Sequence, residues 1–277
     1  MIKKITLTLL LLLFLGGAGI ALYNILSINL EYRASEKTYA QMQDYIQLPS
    51  AVAEETGIPE PAAAAAETNA KTETATEPTD PTEPAREPVV YPEVDFASLR
   101  MVNEDVVGWV YIEDTKINYP ILQGRDNRHY VSTLIDGQYN GAGSIFMDYR
   151  NTPDFSDRHT VLYGHNMRNG TMFAGITEYR DQEYYDDHPM GLIMTPDGNF
   201  RFEIVASYVA SLADPAWQLE FVDDADAAGW LETAMERSPF TSRYQPKAGD
   251  RMITLSTCTY EFDDARFVLV GILTGEE

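Results

Sequence analysis

The sequence predicts a mainly β domain, an eight-stranded closed or nearly closed barrel with helical insertions, carried behind a transmembrane helix and a disordered stalk. Three observations lead there. Residues 1–30 are almost free of charge. Residues from about 50 to 92 hold nearly all the low-complexity sequence, whereas Tyr, Phe and Trp collect after residue 90. Beyond residue 92 the chain becomes a series of eight short β-rich runs separated by turn residues, with few long helical stretches. The expected division is 1–30 anchor, 31–92 juxtamembrane helix and linker, and 93–277 folded domain.

No charged side chain occurs from Ile5 to Leu30. The most apolar part, Ile5 to Ile25, is 21 residues. As a helix it spans about 31 Å, close to the hydrocarbon thickness of about 30 Å. Lys3 and Lys4 precede the run, and Glu31 is the first charge after it. Positive residues stay on the cytoplasmic side, so the N-terminus is expected inside and the rest outside. A cleaved signal peptide is the alternative, since Gly19-Ile20-Ala21 has the small-x-small form. The run exceeds the usual ~7–15 residues of such a peptide, which favours an uncleaved anchor. Either way the domain is exported.

After the anchor, Tyr32, Tyr39, Met42 and Ile46 recur at helical spacing, predicting a short juxtamembrane helix that ends before Pro49. Residues 50–92 are dominated by Ala, Thr, Glu and Pro. They hold too few large apolar groups to offset the cost of ordering them. An extended, Pro-stiffened tether that holds the domain off the bilayer is expected.

Asp95 to Val102 reads as a short amphipathic helix with Phe96, Leu99 and Val102 on one face. The strands expected after it are Gly108–Ile112, Ile117–Leu122, Ser144–Asp148, Thr160–Tyr163, Gly191–Thr195, Asn199–Ala210, Arg251–Thr257 and Arg266–Leu273. Asp136-Gly137, Asn140-Gly141, Asn169-Gly170 and Pro196-Asp197-Gly198-Asn199 mark turns. Helical stretches are expected at about 127–135, 171–186 and 224–238. Closing the strands into a barrel removes exposed sheet edges.

The formal net charge is -23. So acidic a chain is a poor nucleic-acid binder, because phosphate contacts need Lys and Arg. No nucleic-acid partner is expected. One Cys and four scattered His make a poor zinc set, and no Gly-rich phosphate loop is present. Neither a metal nor a cofactor is implied.

A single cysteine permits no intramolecular disulfide. In an exported domain an unpaired Cys is a buried inert residue, an intermolecular link or a reactive thiol. Cys258 ends the run Met252-Ile253-Thr254-Leu255-Ser256-Thr257, among small polar neighbours unlike the lining of an apolar core. Arg266 opens the next predicted strand eight residues on. A tight strand–turn–strand connection places both at the same end of neighbouring strands. Of the histidines, His129, His159 and His188 lie in polar helix or turn contexts and read as structural. His165 differs, since it follows the apolar run Val161-Leu162-Tyr163 and then Gly164, at a strand's end, where a Gly permits close backbone approach or an unusual turn.

These types suit one another chemically. A nearby His or Arg favours the thiolate, which is the nucleophile. Attack on a peptide carbonyl creates an oxyanion, which a fixed positive donor stabilises. An imidazolium can then give the leaving amine its proton.

Thr254-Leu255-Ser256-Thr257-Cys258 with downstream Arg266, and upstream Leu162-Tyr163-Gly164-His165-Asn166, resemble the motifs of the sortases. Asn103 to Val110, Ile117 to Ile121 and Gly143 to Asp148 add to the likeness, which covers about 95–275. The Ser in TLSTC and the helix predicted at 224–238, between the sixth and seventh strands, resemble class B. This resemblance implies a sortase-type β-barrel and a cysteine transpeptidase of the Gram-positive cell envelope. It implies that Cys258 attacks a C-terminal sorting motif of secreted proteins after Thr. Arg266 then steadies the tetrahedral oxygen, and His165 protonates the leaving amine. The acyl group passes to an amine of a peptidoglycan precursor or another acceptor. By position, Asn127, Val131 and Ser256 would bind the peptide. Asp214-Pro215-Ala216-Trp217 is similar to a lid motif of the pilin-assembling class, but in the wrong part of the chain. No C-terminal membrane segment follows Glu277 either, so that class is not expected. Alternatives are an L,D-transpeptidase or cell-wall cysteine peptidase, and a non-catalytic adhesin on a stalk. The first usually has a Gly just before Cys, and papain-like enzymes place Cys before His; neither pattern occurs here.

Overall fold

The computed structural model describes residues 2–49 and 89–275. The low-complexity stalk expected across 50–92 lies almost wholly outside the described residues. Helix α1 (Ile2–Met42) runs unbroken from the apolar run into the folded body. The anchor and the juxtamembrane helix are therefore one element, since neither Pro nor Gly interrupts the chain between Leu30 and Met42. Its 41 residues make it about 61 Å long, roughly twice the hydrocarbon thickness of a bilayer. By length and composition it can cross a membrane. Its last turns dock on the barrel and bury Ser35, Thr38, Tyr39 and Met42.

After a 3-10 turn, β1 (Ile46–Gln47) pairs antiparallel with β2 (Glu93–Val94), Gln47 opposite Glu93. The chain between them leaves and returns at one place. A spacer that holds a domain off a bilayer needs its two ends apart. The β1–β2 pairing joins them, and α1 makes the connection to the barrel instead. The spacer role expected of the stalk is therefore corrected.

Asp95 caps α2 (Phe96–Val102), its carboxylate accepting from Ser98 N at 3.0 Å. Leu99 is fully buried and Phe96 packs at the core edge. Val102 is 37% exposed and leaves the expected face. The barrel strands follow as β3 (Val106–Tyr111), β4 (Asn118–Leu122), β5 (Ile145–Met147), β6 (His159–Tyr163), β7 (Met190–Thr195), β8 (Gly198–Ala210), β9 (Arg251–Cys258) and β10 (Arg266–Gly275). They close in the order β10-β8-β7-β3-β4-β5-β6-β9. Each of the eight expected runs becomes one strand, displaced by at most two residues at an end. The pairs β4–β5 and β6–β9 are parallel and the other six antiparallel.

The helix expected at 127–135 is reduced to a single 3-10 turn, His129–Val131. Asp126 Oδ1 accepts from the N–H groups of Arg128 and His129, at 2.7 and 3.0 Å. Such local bonds compete with helix propagation. The stretch 171–186 becomes a 3-10 segment, Ala174–Arg180, followed by α3 (Gln182–Asp187). Asp181 breaks the two apart and caps α3 through Glu183 N. The third helix forms as α4 (Asp224–Glu236), capped by Asp223. It lays Ala227, Trp230, Leu231 and Ala234 over Val268, Val270 and Ile272 of β10, outside the main core.

His159 is not in a turn. It opens β6 and is fully buried. Its Nδ1 donates to the Gln218 carbonyl at 2.6 Å, and Nε2 accepts from Thr254 Oγ1 at 2.8 Å. Its ring lies 4.7 Å from Trp230. Burial pushes its pKa down to about 4, while the Gln218 bond pulls the other way. An unfolded chain protonates this histidine near 6.5. Between those values the unfolded state holds more protons, so stability is full above pH 6.5 and is lost as pH falls towards 4. The loss is about 3 kcal/mol. In His159→Gln this component is absent, whatever the variant's stability at neutral pH. Denaturant unfolding from pH 7 to 4 in detergent micelles checks it: equal pH slopes in wild type and variant would contradict a neutral, buried ring.

Candidate active site

Three strand ends meet at one rim of the barrel. β9 ends on Cys258 and β10 begins on Arg266, and the antiparallel register sets these two residues directly opposite one another. This is the strand–turn–strand placement that their spacing predicts. β6 runs parallel to β9, with Tyr163 opposite Ser256. The ladder continues past the end of β6. Gly164 N donates to Ser256 O at 3.1 Å, and Thr257 Oγ1 donates to Gly164 O at 2.7 Å. One step further, Asn166 Nδ2 donates to the Cys258 carbonyl at 2.9 Å. His165 stands between these tie points, alongside the cysteine.

Gly164 is needed for close approach, not for an unusual turn. A Cβ at that position would collide with Ile145 and Phe173. The backbone before His165 is thereby pressed onto the core, which fixes the origin of the imidazole. Its Nε2 lies 2.7 Å from the Val131 carbonyl oxygen. A carbonyl only accepts, so Nε2 carries a proton, and whenever the ring is neutral the lone pair is on Nδ1. Cys258 is the free thiol and is half-buried. The one side-chain hydrogen bond of Arg266 among the described residues runs from its Nη1 to the Ala265 carbonyl, 3.0 Å.

All six residues singled out in the sequence line one cleft of about 350 Å³. His165, Cys258 and Arg266 share it with Asn127, Val131 and Ser256. Asn127 is held on both sides of its amide. Its Nδ2 donates to Asp148 Oδ2 at 2.9 Å, and its Oδ1 accepts from Tyr149 N at 3.0 Å. Asp148 is fully buried and also receives Tyr163 OH and the Arg150 guanidinium. Burial opposes its ionisation, but the bonds from Arg150, Asn127 and Tyr163 outweigh burial and hold the carboxyl below its usual range. The same burial and the Asp148 charge push the Tyr163 phenol upward. Ser256 Oγ accepts from Trp217 Nε1 at 3.1 Å.

Sequence reasoning missed the walls. Trp217, Leu212, Phe146 and Tyr163 supply the bulky part of the lining, beside Gly164 and Thr257. Trp217 belongs to the run Asp214-Pro215-Ala216-Trp217, far in sequence from every other residue of the cleft except Leu212. Trp217 ends the Pro215–Trp217 3-10 turn, and Leu212 lies just before that turn. That loop is pinned by the His159–Gln218 bond and by Trp230 Nε1 donating to Pro215 O at 2.8 Å. His129 is exposed and His188 turns back to its own helix at Tyr184 O, so neither joins the cleft.

A closed eight-stranded barrel, with a thiol and a guanidinium paired across two strand ends and an imidazole on the parallel neighbour, defines a cysteine acyl-transfer enzyme. The chain belongs to the sortase family, and within it to class B: the Sortase domain model matches residues 110–274. It is 38% identical to sortase B of Listeria monocytogenes over 181 residues, which is 65% of this chain and 74% of that protein. Sortase B of Staphylococcus aureus is 32% identical over 178 residues, 64% of this chain and 73% of that one. Among solved structures, a Staphylococcus aureus sortase B–substrate complex superposes with a TM-score of 0.63 at 31% identity, covering 66% of this chain and 85% of that one. A mutant of Clostridium perfringens sortase B gives 0.61 at 30% identity, covering 64% and 85%. The protein is thus a cell-wall cysteine transpeptidase. The L,D-transpeptidase, cysteine-peptidase and adhesin readings fall away.

Gly164→Ala is expected to cost about 1–3 kcal/mol, because the new methyl overpacks a closed core. A denaturation midpoint equal to wild type would show that the backbone before His165 has room to spare.

Proposed function

We propose that Cys258 is the nucleophile, His165 the acid/base and Arg266 the oxyanion donor of this transpeptidase. The observation that carries the reading is the convergence of three sequence-distant side chains on one cleft at the rim. Cys258 Sγ passes its proton to the lone-pair nitrogen of His165 and attacks the carbonyl carbon of the scissile bond; the C–S bond forms as the carbonyl π pair moves onto the oxygen. The guanidinium of Arg266 faces the oxygen on which charge collects. The C–N bond then breaks, and the amine leaves with a proton from His165. In the second half an incoming amine gives its proton to His165 and attacks the thioester; the C–S bond breaks and the departing Cys258 thiolate takes that proton back.

The donor substrate is a secreted protein with a C-terminal sorting motif, cut after Thr, of the NPQTN-like kind. Asn127, Val131 and Ser256 line the cleft where this peptide lies. The acceptor is an amine of a peptidoglycan precursor. Solved relatives support the two halves of this reading, one being a sortase B–substrate complex and another sortase B complexed with triglycine. Residues 1–30 anchor the enzyme in the cell membrane with the N-terminus inside, 31–92 connect, and 93–277 form the extracellular catalytic domain. The long apolar helix supports the anchor.

Incubating the full chain in detergent micelles with a sorting-motif peptide is expected to give a thioester adduct on Cys258 by mass spectrometry. An adduct that persists in Cys258→Ala, or its absence from wild type, would refute the nucleophile. Arg266→Lys is expected to lower turnover on the order of 10²-fold, since a point charge does not replace the guanidinium fork. Turnover near that of wild type would rule out contact with the oxyanion.

A further inference from the structure

The imidazole of His165 is held by a backbone carbonyl, and that carbonyl is itself supported from the N-terminal helix. The segment between β4 and β5 carries Val131 at one end of its loop and Gly143 at the other. Gly143 has a φ of 56°, and a Cβ there would lie 2.5 Å from the carbonyl oxygens of both Tyr130 and Val131. The bare backbone of Gly143 therefore lies directly against the peptide whose oxygen meets His165 Nε2 at 2.7 Å. On its other side Gly143 meets α1. The phenol hydrogen of Tyr39 is shared between Gly143 O, at 2.7 Å, and Ser144 Oγ, at 2.9 Å. Ser144 Oγ passes its own hydrogen to Thr133 O at 2.8 Å, and Ser144 N donates to Tyr130 O at 2.9 Å. Both ends of the loop are thus tied to one hydroxyl on α1. Tyr39 is buried with its ring edge-on to Tyr119, 5.3 Å away. Ring packing alone would be met by Phe, so the hydroxyl has a separate task. α1 and Tyr39 lie outside the stretch matched by the family model.

We propose that Tyr39 is a positioning residue for His165, acting through Gly143 and the Val131 carbonyl, so that the membrane-side helix and the acid/base form one mechanical unit. The fixed carbonyl keeps the proton on Nε2 and presents Nδ1 to the reaction. The proposal rests on the acid/base reading of His165. It also makes the docked end of α1 part of the working enzyme, not only its mooring.

The test uses the full chain in detergent micelles with a sorting-motif peptide. Tyr39→Phe keeps the ring and removes the hydroxyl. It is expected to lower kcat about five- to tenfold, the rate equivalent of one hydrogen bond. In histidine-labelled protein, the 15N signals of neutral His165 should change from the Nε2–H tautomer to a mixture. Gln43→Ala is the control for loosened docking. Gln43 bonds Asn118 at 2.8 and 2.7 Å, and that contact leads to β4, not to the 130–144 loop. Its kcat should stay within about twofold of wild type with the tautomer unchanged. Unchanged kcat and tautomer in Tyr39→Phe, or an equal loss in Gln43→Ala, would overturn the proposal. His165→Asn tests the acid/base reading separately: full turnover there would sink that reading, whereas the tautomer judges the Tyr39 path on its own.

Discussion

The ladder between β6 and β9 is parallel, and the rest of the site depends on that direction. Parallel strands finish at the same edge of a sheet. His165, just past the end of β6, therefore arrives where β9 ends on Cys258. β10 is antiparallel to β9 and so starts at that edge with Arg266. Reversing β6 would carry the imidazole to the opposite rim, about 17 Å away for a five-residue strand. A parallel pair cannot be closed by a tight turn and needs a long crossover. Here β7, β8 and α4 all lie between the two strands in sequence. The barrel thus gathers His165, Cys258 and Arg266 from segments almost a hundred residues apart, at a rim that rigid strands define.

Two buried polar side chains hold the walls of the cleft. His159 reaches out of the barrel to Gln218 and fixes the loop that carries Trp217. Asp148 gathers Asn127, Tyr163 and Arg150 under the opposite wall. Each of these groups is costly to bury and is kept only because its partners are in place. Both arrangements couple an irregular loop to a strand, which is how a loop surface acquires strand-like precision. His159 does so as a neutral ring, which ties this wall to pH.

The N-terminal helix alters the picture of the enzyme on its membrane. Residues 48–92 leave and rejoin the body at the β1–β2 pair, so the apolar run is joined to the barrel through α1 itself. A continuous helix transmits position and orientation, where a flexible tether transmits only distance. The last turns of α1 touch the loop that supports Val131, so the anchor and the cleft share a structural neighbour.

The sequence by itself determined the strands and singled out the side chains that share the cleft. Alternating β-branched runs bounded by turn residues fixed all eight barrel strands, and the spacing of Cys258 to Arg266 encoded a hairpin. Gly164 before His165 left a close approach or an unusual turn open, and the nearness of Ile145 and Phe173 decides for the close approach. The tertiary structure alone decided the rest. The pattern at 127–135 looks helical until Asp126 takes the turn's N–H groups. Val102, placed on the buried face of α2, turns outward. Trp217, Asp148 and Tyr39 act through partners from 39 to 105 residues away or through a buried cluster. The closure of 48–92 rests on a pairing of only two residues per strand. Local pattern reports which backbone state is cheap, because propensity and periodicity act over a few residues. Which side chain meets which across the barrel is set by chain closure and burial, and these have no signature in any one segment.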